Sequence, residues 1–275
     1  MYTEKEAEPV ERRTRCTGSV KRAGSVKRAG SGCGRFFGTA GVCMLFSELW
    51  KQYTLNGKLC TAGAGRYNFW YFPFQLCSVP MYVCLLLCLC AAAEKRKKNT
   101  EALSSACLTY LATYGLLSGI MAFCDTSGFR ETGYLPLTVH SYAWHVLLIL
   151  LGIRAATALL RREPLIPGGQ KISGNASGAF LIYLSGCGIA ELWNALFSNA
   201  GTINMFYINP RLPMNQVCFR EIGTYLSASF GPGSLISGNG AAILSYIAAT
   251  VTGAMIFSIL LLYLESRRNS SSEET

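Results

Sequence analysis

The sequence predicts an all-α polytopic membrane protein: a six-transmembrane-helix bundle in the cell membrane with both termini cytoplasmic. Three observations carry this. Hydrophobic residues make up 51% of the 275 residues and charged residues only 15%, the balance of an integral membrane protein. The apolar residues fall into six blocks of about 20, the length a helix needs to cross a bilayer. Lys and Arg are distributed unevenly between alternate loops, which sets the orientation.

The blocks define the domains. Residues 1–33 form a basic tail rich in Gly, Ser, Lys and Arg. It repeats Gly18-Ser19-Val20-Lys21-Arg22-Ala23 as Gly24-Ser25-Val26-Lys27-Arg28-Ala29. Such a segment cannot bury enough apolar surface to fold and is expected to be disordered. The transmembrane domain covers 34–265, with helices near 36–53, 69–93, 104–124, 135–160, 178–197 and 240–264. A seventh apolar stretch, 222–236, is interrupted by Gly231, Pro232 and Gly233, so it reads as a re-entrant segment or loop. Residues 266–275 form a polar cytoplasmic tail.

Of the 25 Lys and Arg, 18 lie before the first apolar block at residue 36, in the loops 94–98 and 161–171, and in the C-terminal tail. Six lie in the intervening loops or, for Lys51, at the adjoining end of the first helix, and Arg154 sits within a helix. The positive-inside rule therefore places both termini in the cytoplasm. The net charge of +10 marks topology and membrane phospholipid headgroups, with no nucleic-acid partner. The twelve cysteines lie mostly inside the apolar blocks, where Cys behaves as a small hydrophobe. No Cys-x-x-Cys pair or Cys/His spacing of a metal site occurs, so no metal or other cofactor is expected. Cys60 and Cys218 lie in loops and are placed to pair if those loops face an oxidising side. Asn175-Ala176-Ser177 matches a glycosylation sequon, but the predicted topology puts it in the cytoplasm. Gly115-x-x-x-Gly119 is read as a helix-packing device.

Polar groups at membrane depth require an explanation. At ~1.5 Å rise per residue, a helix starting at Phe69 puts Cys77 ~12 Å below its outer end. By the same measure His140 is ~6 Å and His145 ~14 Å deep in the fourth helix, with Glu48 ~7 Å and Glu191 ~9 Å from their helix ends. Asn204 lies near the outer end of its segment. All of these fall in the outer leaflet. Tyr183, Cys187, Glu191, Asn194 and Ser198 follow helical spacing, so the stripe is expected to face the interior. It serves either as interhelical hydrogen bonding or as the wall of a site. Pro80 is expected to kink the second helix beside Cys77. Met81, Cys84 and Cys88 on the same face form a packing stripe or an acyl-chain groove.

Pro73-Phe74-Gln75-Leu76-Cys77 resembles the Leu-Pro-Leu-His-Leu-Cys signature of the YwaF-like bacterial multi-pass membrane proteins. The helix bearing His145 is similar to that family's His-bearing helix. Asn204-Met205-Phe206-Tyr207-Ile208-Asn209-Pro210 resembles its Asn-Tyr-x-Phe-Leu-x-x-Pro stretch. Gln75 stands where the family carries His, and Met205 where Tyr is common. The family includes the transmembrane protein 164 phospholipid acyltransferases, so the resemblance implies that Cys77 is a nucleophile and His145 its base. Phospholipids would then be acyl donor and acceptor.

The expected chemistry is acyl transfer or lipid hydrolysis. A thiol needs a nearby base to attack an ester. Glu191 or Asn194 would orient the imidazole, Gln75 or Asn204 would stabilise the oxyanion, and His140 and Glu48 would support the site. Two other classes remain open. One is a small-solute permease using Glu48, Glu191 and Arg154; the other is a non-enzymatic bundle that binds a lipid or a partner.

Overall fold

The computed structural model describes residues 33–60, 66–96, 100–130, 132–230 and 239–273. The expected tail 1–33 therefore lies almost wholly outside the described residues. The described residues form seven helices and no sheet, only an isolated bridge between Pro164 and Lys171. Helix α1 (Cys33–Gln52) continues as a π-helical turn, Tyr53–Lys58. Then come α2 (Val79–Lys95), α3 (Glu101–Met121, with a π segment at Leu111–Gly115), α4 (Leu135–Leu160), α5 (Ala176–Phe197), α6 (Val217–Phe230) and α7 (Asn239–Glu273).

Four of these, α3, α4, α5 and the Asn239–Arg268 part of α7, are long and apolar enough to cross a membrane. The first two expected spans are not among them. Helix α1 carries Arg35, Glu48 and Lys51, and α2 has 17 residues, about 25 Å of helix against a hydrocarbon core of about 30 Å.

Helix α2 starts ten residues later than the apolar block that predicted it. Two prolines explain why. Residues Phe69–Tyr71 form a 3-10 turn, Pro73 follows, and Gln75 O accepts hydrogen bonds from Ser78 N (2.8 Å) and Val79 N (3.2 Å). Pro80 then falls in the first turn of α2, where a helix leaves its N–H groups unpaired anyway. The expected kink is absent. Cys77 lies in the turn before α2 rather than partway along a helix. Pro80→Ala should accordingly cost no more than about 1 kcal/mol, through unfolded-state entropy; a melting temperature lowered by tens of degrees would restore the kink.

The stretch 222–236 is also partly helical: α6 covers its first part and packs on α7, while 231–238 lie outside the described residues. Helix α7 continues past the expected end at 264 to Glu273.

Helix α3 is the centre of the bundle, touching α2, α4, α5 and α7. Its apolar window is 78% buried, against 11% for the peripheral α7. Small and hydroxylated residues make this possible. Thr109 and Thr113 donate back to the carbonyls of Ser105 (2.9 Å) and Thr109 (2.7 Å), so their hydroxyls need no outside partner. In the proposed pair Gly115-x-x-x-Gly119, only Gly119 is at a close contact: a Cβ there would lie 2.9 Å from Ile149 Cγ1. Gly152 of α4 makes a tighter approach to α3, with a Cβ position 2.6 Å from Leu116 Cβ.

Helices α1 and α2 form an antiparallel hairpin. Gly34, Gly38 and Gly41 meet Ala91, Cys88 and Cys84, with Cβ positions 2.8–3.0 Å away. This gives the Cys84 and Cys88 stripe its explanation as packing. On the outside, α4 exposes Val139, Val146, Leu150 and Ile153, α5 exposes Leu181, Leu184, Leu192 and Leu196, and α7 exposes Ile256, Ile259, Leu260 and Leu262. Apolar surface this continuous suits lipid rather than water.

Candidate functional site

The C-terminal ends of α1 and α5, the N-terminal end of α4 and the segments 66–78 and 198–216 meet at one end of the bundle. Cys77, Glu48, His140, Gln75, Asn194 and Asn204 all belong to this end, as the contacts below specify.

The first half of the site is built on α1. Glu48 is 2% exposed, and such burial requires partners. Lys51 Nζ is 2.7 Å from one carboxylate oxygen, and Gln52 Nε2 donates to the other at 2.6 Å. Gln52 also donates to Tyr71 O (2.7 Å), while its Oε1 accepts from Tyr67 OH (2.7 Å). Asn56 Oδ1 accepts from Asn68 N at 2.7 Å. The polar face of α1 therefore clamps the 67–71 loop. Burial, reinforced by the Glu48 carboxylate, pushes the Tyr67 hydroxyl up to about 12, so it remains the donor in its bond to Gln52. Lys51, Gln52, Asn56 and Tyr67 were not singled out from sequence, although Glu48-x-x-Lys51-Gln52 is a readable i, i+3, i+4 pattern.

The two histidines face different surroundings. His140 stands between Trp50 and Trp144, with both ring centroids 5.6 Å away. Both of its ring nitrogens are buried and have no hydrogen-bond partner among the described residues. Trp144 Nε1 donates to the carbonyl of Cys77 at 3.0 Å, linking His140 to the Cys77 turn through one indole. His145 stacks on Phe129 at 4.7 Å, and its Nδ1 is 2.8 Å from Ser141 O. A carbonyl only accepts, so Nδ1 carries the proton and Nε2 is the remaining lone pair. No hydrogen bond joins Cys77 to either imidazole. Cys77 is half-buried, and its thiol lies within electrostatic range of Lys51 and Glu48.

The second half of the site is an amide latch. Gln75 Nε2 donates to Asn204 O (2.9 Å), and its Oε1 accepts from Phe206 N (2.8 Å). Asn194 Oδ1 accepts from Met205 N (2.7 Å), and its Nδ2 donates to Met205 O (3.2 Å). Asn204 Oδ1 accepts from Asn209 N at 3.0 Å. These side chains enclose a 3-10 turn, Met205–Tyr207, in which Phe206 and Tyr207 have φ of 56° and 57°. Left-handed backbone is costly for bulky residues, and the latch provides compensating bonds. Gln75, Asn194 and Asn204 are thus brought together, but their amides serve backbone groups of this turn. One Nε2–H of Gln75, a donor expected for an oxyanion, is given to Asn204 O.

The expected interior stripe on α5 holds for Tyr183 and Asn194, both buried, and less so for Cys187 and Ser198. Glu191 is exposed, at the stripe's edge, with Oε2 3.4 Å from Asn194 Nδ2. Cys60 and Cys218 are both free and exposed. Asn175 caps α5: its Oδ1 accepts from Gly178 N and its Nδ2 donates to Ala102 O. Among the described residues no group of three or more His, Cys, Asp or Glu is placed to hold a metal. No family model, curated protein or solved structure matches this chain.

Proposed function

We propose that the chain is a polytopic cell-membrane protein with six membrane-embedded helices and both termini cytoplasmic. The four spanning-length helices and their exposed apolar faces support the membrane reading. The lysine and arginine asymmetry supports the orientation. The close α1–α2 hairpin supports burial of those two shorter helices beside the other four.

Within that frame, the end of the bundle that carries Cys77 takes a phospholipid, and Cys77 is the proposed acyl acceptor. One observation carries this reading: a half-buried thiol shares that end with an imidazole, His140, that has no hydrogen-bond partner among the described residues. The thiolate sulfur attacks the ester carbonyl, the imidazole takes the thiol proton, and that proton passes to the departing lyso-lipid alkoxide. The thioester then transfers its acyl group to a lyso-lipid hydroxyl or to water. Either reaction requires an imidazole to swing toward Sγ, because neither His140 nor His145 reaches it in this structure. Lipid profiling of Cys77→Ala, His140→Ala and His145→Ala tests the reaction. Altered acyl composition with Cys77→Ala and one of the histidine variants is expected, and wild-type profiles in all three would end it.

A second reading, a non-enzymatic bundle that binds a lipid or partner, is favoured by the amide latch, which commits the Gln75 and Asn194 side chains to the backbone of the 204–206 turn. The readings separate with an acyl-mimicking thiol probe. Cys77 reacting faster than Cys84 and Cys88 supports chemistry, and equal rates support binding alone. Of the residues the permease reading uses, Glu48 pairs with Lys51 and Arg154 with Glu163, while Glu191 is exposed; solute flux that depends on Glu191 and ignores Cys77 would favour that reading.

A further inference from the structure

At the opposite end of the bundle, Thr157, Leu160, Arg161 and Arg268 line a cleft of about 430 Å³. We propose that this cleft binds the phosphate of an anionic phospholipid headgroup, a site separate from the Cys77 end; the inference rests on the membrane reading above.

The cleft lies where two apolar spans end together. Leu160 is the last residue of α4, and on α7 the apolar run through Leu264 gives way to Glu265-Ser266-Arg267-Arg268. The level of the lipid phosphates therefore coincides with the two guanidiniums. The neighbouring carboxylates are already engaged: Glu163 pairs with Arg154, and Glu265 takes both Nε and Nη2 of Arg162. Arg161 forms no ion pair among the described residues. Arg268 donates to the carbonyl of Leu160, which neutralises one of the terminal carbonyls of α4 that would otherwise repel an anion. A guanidinium has five N–H donors, so Arg268 retains donors for a phosphate. Thr157 donates to Ile153 O at 2.9 Å, and its hydroxyl can rotate to serve as a third donor.

A membrane lipid fits better than a soluble anion because of what flanks the charges. Ile259, Leu260, Leu262 and Tyr263 lie exposed on the preceding turns of α7, with Ile153 exposed on α4. These side chains provide a surface for acyl chains directly beside the headgroup position. A free phosphate would gain nothing from them.

The test uses the full chain purified in mild detergent, with equal phosphatidylglycerol and phosphatidylcholine added and the retained lipid measured by native mass spectrometry. Phosphatidylglycerol should be retained preferentially, and Arg161→Gln or Arg268→Gln should each lower that retention about five-fold. Arg130→Gln, at the other end of the bundle, should leave it unchanged, and Arg161→Lys should keep most of it. Melting temperatures confirm that each variant is folded. Equal retention in wild type and in the two Gln variants overturns the proposal. So does displacement of the lipid by millimolar inorganic phosphate, which would mark a soluble-anion site. A chain that stays soluble without detergent would instead refute the membrane reading itself, a result distinct from a lost lipid preference.

Discussion

Asn194→Ala lowers the stability of the protein by about 1–3 kcal/mol, because it leaves the buried N–H of Met205 without a partner and its C=O with only the longer bond from Ile208 N. Asn194 is 1% exposed and Met205 0%, so water does not replace the lost amide. The bond to Met205 N is the shorter, at 2.7 Å. The turn it holds contains the two left-handed residues, Phe206 and Tyr207, and loss of the clamp frees the chain to relax out of that conformation. Gln75→Ala should act in the same direction through Phe206 N and Asn204 O. Because both side chains grip one turn, the double variant should cost less than the sum of the singles. Thermal melts followed by tryptophan fluorescence measure this, with Trp193 next to the latch on α5. An Asn194→Ala melting temperature within a degree of wild type would show that the latch does not hold the turn.

Gly152→Val should have an effect at least as large, by forcing α3 and α4 apart. A Cβ at Gly152 would lie 2.6 Å from Leu116 Cβ and 3.0 Å from Leu111 O. Neither atom is the free end of a side chain, and both belong to the buried central helix. Overpacking of this kind costs about 1–3 kcal/mol in cores that can adjust, and here the obstacle is backbone, so poor recovery of folded protein is expected. Gly115→Ala is the control. Its nearest neighbour would be Pro80 Cγ at 3.6 Å, an ordinary contact, so it should be tolerated. Size-exclusion yield and melting temperature read out both. A normal yield for Gly152→Val would rule out the close approach of the two helices.

The glycine results show where sequence reading reached and where it stopped. Gly115 and Gly119 form a recognisable spacing, yet only Gly119 meets a neighbouring helix closely. The α1–α2 contact rests on Gly34, Gly38 and Gly41, and the α3–α4 contact on Gly152. Spacing says that a close approach is possible; which helix arrives opposite depends on the packing of the whole bundle. The same limit applies to Pro80. A proline inside an apolar run suggests a kink, but the helix begins one residue before it. Two prolines seven residues apart were the available warning that 69–78 is not helical.

The site was legible in its membership more than in its roles. Depth along the helices grouped Glu48, Cys77, His140, His145, Glu191 and Asn204; in the structure Glu48, Cys77, His140 and Asn204 lie at one end of the bundle together with Gln75 and Asn194. Depth along a helix axis says nothing about direction around it. His145, at nearly the predicted depth of Cys77, turns to Phe129, whereas His140 stacks on the tryptophan that binds the Cys77 carbonyl.

Composition, block length and apolar spacing therefore determined by themselves that this is an all-α chain with helices long and apolar enough to cross a membrane, because hydrocarbon solvent permits few ways to pair a backbone. Only the tertiary structure decided that the amides of Gln75, Asn194 and Asn204 close on a left-handed turn and that the two histidines part company. Hydrogen bonds are short and directional, and the groups they join here are up to 131 residues apart in the chain, a relation that local pattern does not encode.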